Sequence, residues 1–214
     1  ILAATTLGLS YLVFEQRRAP VRVVRSSILP PEKCQFSFAS GPMALSPDGR
    51  RIAFVAMNAD GKNFLWVRPL DRLVAQPLDG TEGATYPFWS PDGRYLGFFA
   101  GGKLKKIDAS GGPPETICDA SSGRGGSWNT DGVIIFAPTS RDPIQRVSAS
   151  GGTPTPVTEF DASRGEGTHR WPVFLPDGTS FLYLGQPFGG GQDPRSGIFL
   201  GSLDSRKSQI LLPG

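Results

Sequence analysis

One histidine and two cysteines bound the covalent chemistry open to this chain of 214 residues. Any triad with an imidazole base has to use His169, and there is no Gly-x-Ser-x-Gly elbow to supply its nucleophile. Gly165-Glu166-Gly167 is not a nucleotide fingerprint, because Arg170 stands at the third glycine position and no helical pattern follows. Cys34 and Cys118 are 84 residues apart and neither belongs to a Cys-x-x-Cys pair. They read as two buried thiols, not as a zinc or redox motif. No catalytic residue, metal or cofactor is expected. What remains is recognition: Arg124, Arg164 and Arg170, with Tyr86, Glu82, Glu166 and His169. A guanidinium grips a carboxylate or phosphate with two parallel hydrogen bonds, and a neighbouring aromatic ring adds stacking.

The elements that position these side chains are set by a repeat. Ser-Pro-Asp-Gly at 46–49 recurs at 90–93, then as Asn-Thr-Asp-Gly at 129–132 and Leu-Pro-Asp-Gly at 175–178. The steps from Asp48 to Asp92, Asp131 and Asp177 are 44, 39 and 46 residues. Each turn is followed by alternating apolar residues, as in Ile52-Ala53-Phe54-Val55 and Ile134-Ile135-Phe136. A turn and four short strands every 40–45 residues or so mark propeller blades. The predicted blades cover about 41–80, 81–120, 121–160 and 161–214. Glycine and proline together number 48, and they fall between the apolar runs, as tight turns require.

The turn chemistry is local. Proline presets φ for the first central position, Asp tolerates the second, and glycine takes the left-handed position after it. Asp48, Gly49, Asp92, Gly93, Asp131, Gly132, Asp177 and Gly178 are therefore structural. Each Asp stands without further carboxylates at calcium-loop spacing. In this fold the loop that enters each innermost strand lies near the central channel. Tyr86, Arg124, Arg164, Glu166, His169 and Arg170 occupy those loops. They are expected to form a site for a protein or small ligand at the channel mouth. The competing reading has the same arginines bonding loop carbonyls and neighbouring-blade acids, so that they hold blades together.

Residues 1–14 carry no charge. As a helix they reach about 21 Å, short of the ~30 Å hydrocarbon core. Because the sequence starts at Ile1, this segment is expected to be the C-terminal part of a transmembrane helix, with Tyr11 at the interface and Glu15-Gln16-Arg17-Arg18 as a polar stop. A signal peptide, which wants a basic start, and a buried globular helix are the competing readings. Residues 15–33, with Pro20, Pro30, Pro31 and four arginines, read as an extended tether. Net charge is +3 without a basic face, so nucleic acid is not an expected partner.

Phe-Trp-Ser-Pro-Asp-Gly-Arg-Tyr-Leu-Gly-Phe-Phe at 88–99, with the trailing Ala-Ser-Gly-Gly hairpins at 109–112 and 149–152, resembles the WD-like repeats of TolB-type β-propellers. The resemblance covers residues 34–214. Apolar helix, Arg/Pro tether and propeller together resemble the C-terminal region of bacterial eukaryotic-like serine/threonine protein kinases. The stretches 123–128, 161–166 and 169–172 carry that likeness. It implies a non-catalytic sensor or interaction domain outside the membrane, on a single-pass protein whose kinase domain is elsewhere. The arginines after residue 14 point the other way under the positive-inside rule. Alternatives are the gating propeller of a prolyl-oligopeptidase-like hydrolase and a TolB-like periplasmic assembly protein.

Four copies of the turn are few for a ring. A partial ring is expected, with Gln35–Phe38 donated to a distant blade and an apolar blade face left open.

Overall fold

The computed structural model describes residues 27–188 and 193–214. The apolar segment 1–14 and the tether up to residue 26 lie outside the described residues. Among those described, no helix is long and apolar enough to cross a membrane. The described residues are all-β, built as four antiparallel sheets. The first holds β1 (Gln35–Phe36), β2 (Ala44–Leu45), β3 (Arg51–Met57), β4 (Asn63–Pro69) and β5 (Gln76–Pro77). The second holds β6 (Thr85–Trp89), β7 (Tyr95–Ala100), β8 (Lys103–Asp108) and β9 (Glu115–Asp119). The third holds β10 (Gly126–Trp128), β11 (Val133–Phe136), β12 (Gln145–Ser148) and β13 (Thr155–Pro156). The fourth holds β14 (Thr168–Phe174), β15 (Ser180–Gln186), β16 (Gly197–Ser202) and β17 (Ser205–Pro213). Strands within the second, third and fourth sheets pair in chain order.

One expectation about this topology is corrected. Gln35–Phe36 is not donated to another blade: it pairs with Met57 and Ala56 of β3. The strand β2 pairs with Ala53 and Ile52 of the same β3. The innermost strand of blade one is thus split, with a single 3-10 turn at Phe38–Ser40 between its halves. The reason is local burial. Phe36 packs edge-on against Phe54 at 5.2 Å, and closing so short a loop costs little chain entropy.

The Ser-Pro-Asp-Gly turns close as their chemistry dictates. Ser46 donates its hydroxyl to Asp48 Oδ1 at 2.5 Å, and Ser90 does the same to Asp92 at 2.6 Å. Each serine Oγ also accepts the backbone N–H of the residue opening the next strand, Arg51 or Tyr95. These bonds hold the Asp48 and Asp92 carboxyls below the usual Asp range. In blade three, Asn129 does this work: its Oδ1 accepts from Asp131 N–H and Val133 N–H. In blade four, Asp177 accepts from Thr179 and Ser180.

Sheets pack face to face in chain order. Val55, Leu65 and Val67 of blade one meet Trp89, Leu96 and Phe98 of blade two. Phe99, Leu104 and Ile117 meet Ile134 and Phe136 of blade three. Ile135, Ile144 and Val157 meet Phe181, Tyr183 and Phe199 of blade four. Burying one such side chain stabilises by roughly 1.5–3 kcal/mol. Polar ties cross each junction: Trp89 Nε1 donates to Ala44 O at 2.9 Å, Lys106 Nζ to Ala149 O at 3.1 Å, and Asn129 Nδ2 to Gly178 O at 2.8 Å. Cys34 packs on the outer face of blade one and Cys118 between blades two and three. Both are free thiols, and burial pushes the Cys118 thiol up to about 11.

The last blade differs from the inner ones. Along β15 burial alternates, with Phe181 and Tyr183 inward and Leu182 and Leu184 half-exposed on the other side. Val173, Ile198, Leu200 and Leu212 share that second face by register. Val173 is 58 % exposed and Leu212 64 %. An apolar array of this kind drives association. Sedimentation velocity at rising concentration should show self-association, and Leu184→Lys with Leu200→Lys should abolish it. Concentration-independent sedimentation of the unaltered chain would refute the expectation.

Candidate functional site

A cleft of about 240 Å³ lies where the innermost segments of all four blades converge. Its walls are Pro42 of blade one, Tyr86 and Pro87 of blade two, Gly125 and Gly126 of blade three, and Trp171, Pro172 and Val173 of blade four. Two aromatic residues define it, and both are held in the left-handed region, Tyr86 at φ 49° and Trp171 at φ 54°. Each sits in a β-bulge, between Thr85 and Phe88 and between Arg170 and Val173. Such a backbone costs on the order of 1–3 kcal/mol per residue and persists only where the surroundings enforce it. Here a glycine of the preceding blade lets the backbones approach closely. A Cβ on Gly41 would lie 2.8 Å from the Tyr86 Cα, and one on Gly125 would lie 3.0 Å from the Trp171 Cα. The Trp171 N–H also donates to Arg124 O at 3.0 Å. Glycine, then a bulged aromatic followed by proline, is thus a device used twice, once per pair of blades.

The six side chains singled out by sequence fall into two groups. Tyr86 lines the cleft, and the Arg124 guanidinium stands 5.9 Å from the centre of its ring. Arg170 is the residue before Trp171, with Nε donating to Thr168 Oγ1 at 2.7 Å. Arg164, Glu166 and His169 make a separate arrangement at the junction of blades three and four. Glu166 Oε2 accepts from His169 Nε2–H at 3.2 Å and from Asp161 N–H at 2.8 Å, while Oε1 accepts from Arg164 Nε at 3.0 Å. On the other side of the imidazole, Thr158 donates its hydroxyl to Nδ1 at 2.9 Å and accepts the Ile144 N–H. That accounting puts the imidazole proton on Nε2. The ring lies between Phe160 and Tyr183, at 4.7 and 4.6 Å.

Thr158, His169 and Glu166 have the hydroxyl–imidazole–carboxylate order of a nucleophilic triad. The order is not sufficient for that chemistry. Thr158 is 1 % exposed and His169 0 %, and the Thr158 hydroxyl is committed to two protein partners. No substrate carbonyl reaches it, so the set joins two blades. Burial holds the His169 pKa below its usual value, against the opposing pull of the Glu166 carboxylate. Burial also pushes the Tyr183 hydroxyl up to about 12.

Sequence reasoning passed over Trp171 and the three prolines of the cleft. A signal for them exists in the chain. Tyr86-Pro87 and Trp171-Pro172 are aromatic–proline pairs in the same phase, each aromatic six residues ahead of its turn aspartate, Asp92 or Asp177.

Solved structures with this architecture are numerous. TolB from Agrobacterium tumefaciens superposes with a TM-score of 0.67 at 19 % identity, over 80 % of this chain and 65 % of its own. TolB from Acinetobacter baumannii gives 0.64 at 18 %, over 80 % and 43 %. The chain has the fold of a TolB-type β-propeller. A puromycin-hydrolyzing peptidase of Mycobacterium tuberculosis matches at 0.62 and 14 % identity, over 88 % of this chain and 30 % of its own. The propeller described here thus spans 43 % and 65 % of the two TolB chains. No family model matches the sequence, and no curated protein matches it.

Proposed function

We propose that this propeller is a non-catalytic binding module, and that the cleft between Tyr86 and Trp171 is where it takes its ligand. The observation that carries this is the paired device itself. Two aromatic residues have left-handed backbones that a glycine approaches closely, and both line the same apolar cleft. Strain of this sort concentrates at ligand clamps. A few-sided apolar pocket with convergent polar groups is the general form of a binding site. The polar group beside this cleft is Arg124, whose guanidinium stands over the Tyr86 ring. Arg164, Glu166 and His169 serve the site indirectly, by fixing the start of β14, the strand that carries Arg170 and Trp171.

The wider setting rests on the resemblance of 123–128, 161–166 and 169–172 to kinase-attached propellers, and on the uncharged segment 1–14. On that basis the module is the sensor or interaction domain of a membrane-anchored, receptor-like serine/threonine kinase, facing the extracytoplasmic side. The peptidase neighbours favour a second reading, a propeller that gates a hydrolase domain. A neighbouring kinase or Ser-elbow domain in the gene separates the two.

Panning a displayed library of random peptides against the chain tests the cleft. Enriched sequences should lose binding to the Trp171→Ala protein and keep it with Leu184→Lys, which lies on the open face of blade four. Enrichment indifferent to Trp171 would argue against the cleft.

A further inference from the structure

We infer that the cleft selects ligands in which an apolar ring, aromatic or proline, carries a carboxylate one to three bonds away. This rests on the binding reading given above and names the chemistry of what binds. The first observation is the absence of acid in the wall: Pro42, Tyr86, Pro87, Gly125, Trp171 and Pro172 contribute ring faces and backbone only. The second is the state of the arginine beside it. Arg94, Arg164 and Arg195 each hold a carboxylate within 3.2 Å or less of one guanidinium nitrogen. Arg124 does not: among the described residues its guanidinium donates only to Gly123 O, at 3.3 Å. The Arg124 fork therefore retains donors free for an anion.

Charge and shape are complementary to one ligand class. A flat apolar group fits the cleft that Tyr86 and Trp171 line, and their backbones are already held in the left-handed region, so little backbone entropy is lost on binding. The Arg124 guanidinium, stationed over the Tyr86 ring, meets a carboxylate attached to that group. A cationic ligand meets the Arg124 charge and no acid in the wall, and is rejected. A free small aromatic acid and the C-terminal residue of a peptide share this chemistry.

Titrating the 214-residue chain with three probes while following Trp fluorescence tests the inference: N-acetyl-prolyl-phenylalanine, its C-terminal amide, and phenylacetate. The Trp171→Phe protein identifies the responding ring. The acid is expected to bind at least tenfold more tightly than the amide, and Arg124→Gln should remove that difference while leaving the melting temperature unchanged. Phenylacetate binding as tightly as the peptide acid would assign the site to small aromatic acids, and weaker binding would assign it to peptide C-termini; both support the carboxylate rule. Equal binding of acid and amide would overturn that rule and leave the cleft as an apolar site. No Trp171-dependent response to any probe would overturn both the rule and the cleft.

Discussion

Glu166→Ala should be among the most damaging single changes in this chain. It leaves the buried His169 Nε2–H and the Asp161 N–H without acceptors and strips Arg164 of one partner. Orphaning buried donors and breaking a buried pair together cost about 3 kcal/mol or more. For a domain of this size that lowers the melting temperature by roughly 6–12 °C. Glu166→Gln keeps an acceptor oxygen and should lose far less. An alanine protein that melts with the unaltered one would show that the network holds nothing together.

The same network predicts an acid response. Because burial holds the His169 pKa below its ordinary 6.5, the folded chain takes up this proton less readily than the unfolded one. The stability it contributes is fully present above pH 6.5 and declines as the pH falls from there towards the lowered folded value. The groups facing the imidazole are Glu166, Arg164 and Tyr183. The turn aspartates Asp48, Asp92 and Asp177 act in a lower window, because their carboxyls are held below 3.8 by hydrogen bonds. Their contribution is lost only as the pH falls through and below that value. Melting curves from pH 8 to 3 should therefore fall in two stages, and His169→Gln should remove the upper one.

The second large effect is at Gly123. A Cβ there would lie 2.1 Å from Cδ1 of Phe99, a ring buried between blades two and three. No rotamer change of a side chain packed on both sides relieves such an overlap, so Gly123→Ala should cost about 3 kcal/mol through overpacking. It should also displace Arg124, the next residue, and so weaken ligand binding at the cleft. Gly49→Ala is the control. Nothing lies within 4 Å of its Cβ position, and only its φ of 69° opposes a side chain. It should cost about 1 kcal/mol. Equal losses at the two positions, read from chemical denaturation, would contradict the packing argument.

The contrast between these glycines shows where sequence stops being informative. Gly49 is legible because its role is satisfied within four residues: Ser46, Pro47 and Asp48 set the turn and Gly49 closes it. Gly123 looks like any loop glycine, since the ring that requires it comes from the preceding blade. His169 is another case. A lone histidine near a glutamate suggested a channel-mouth ligand, but both are buried at a blade junction with Thr158. Nothing in the stretch 158–169 states which way its polar groups turn.

The blades were legible from residue order: four turns at a near-regular spacing, the strands that follow each, and the all-β class. These depend on interactions between residues close in the chain, for which type and order suffice. Tertiary structure decided the rest. It set the split strand that returns Gln35–Phe36 to blade one, the separation of the predicted site residues into a buried blade tie and a cleft, and the place of Trp171 opposite Tyr86. The two aromatics are 85 residues apart in the chain. They line one cleft only because each sheet buries its apolar faces on the next, which brings every innermost strand to a common centre.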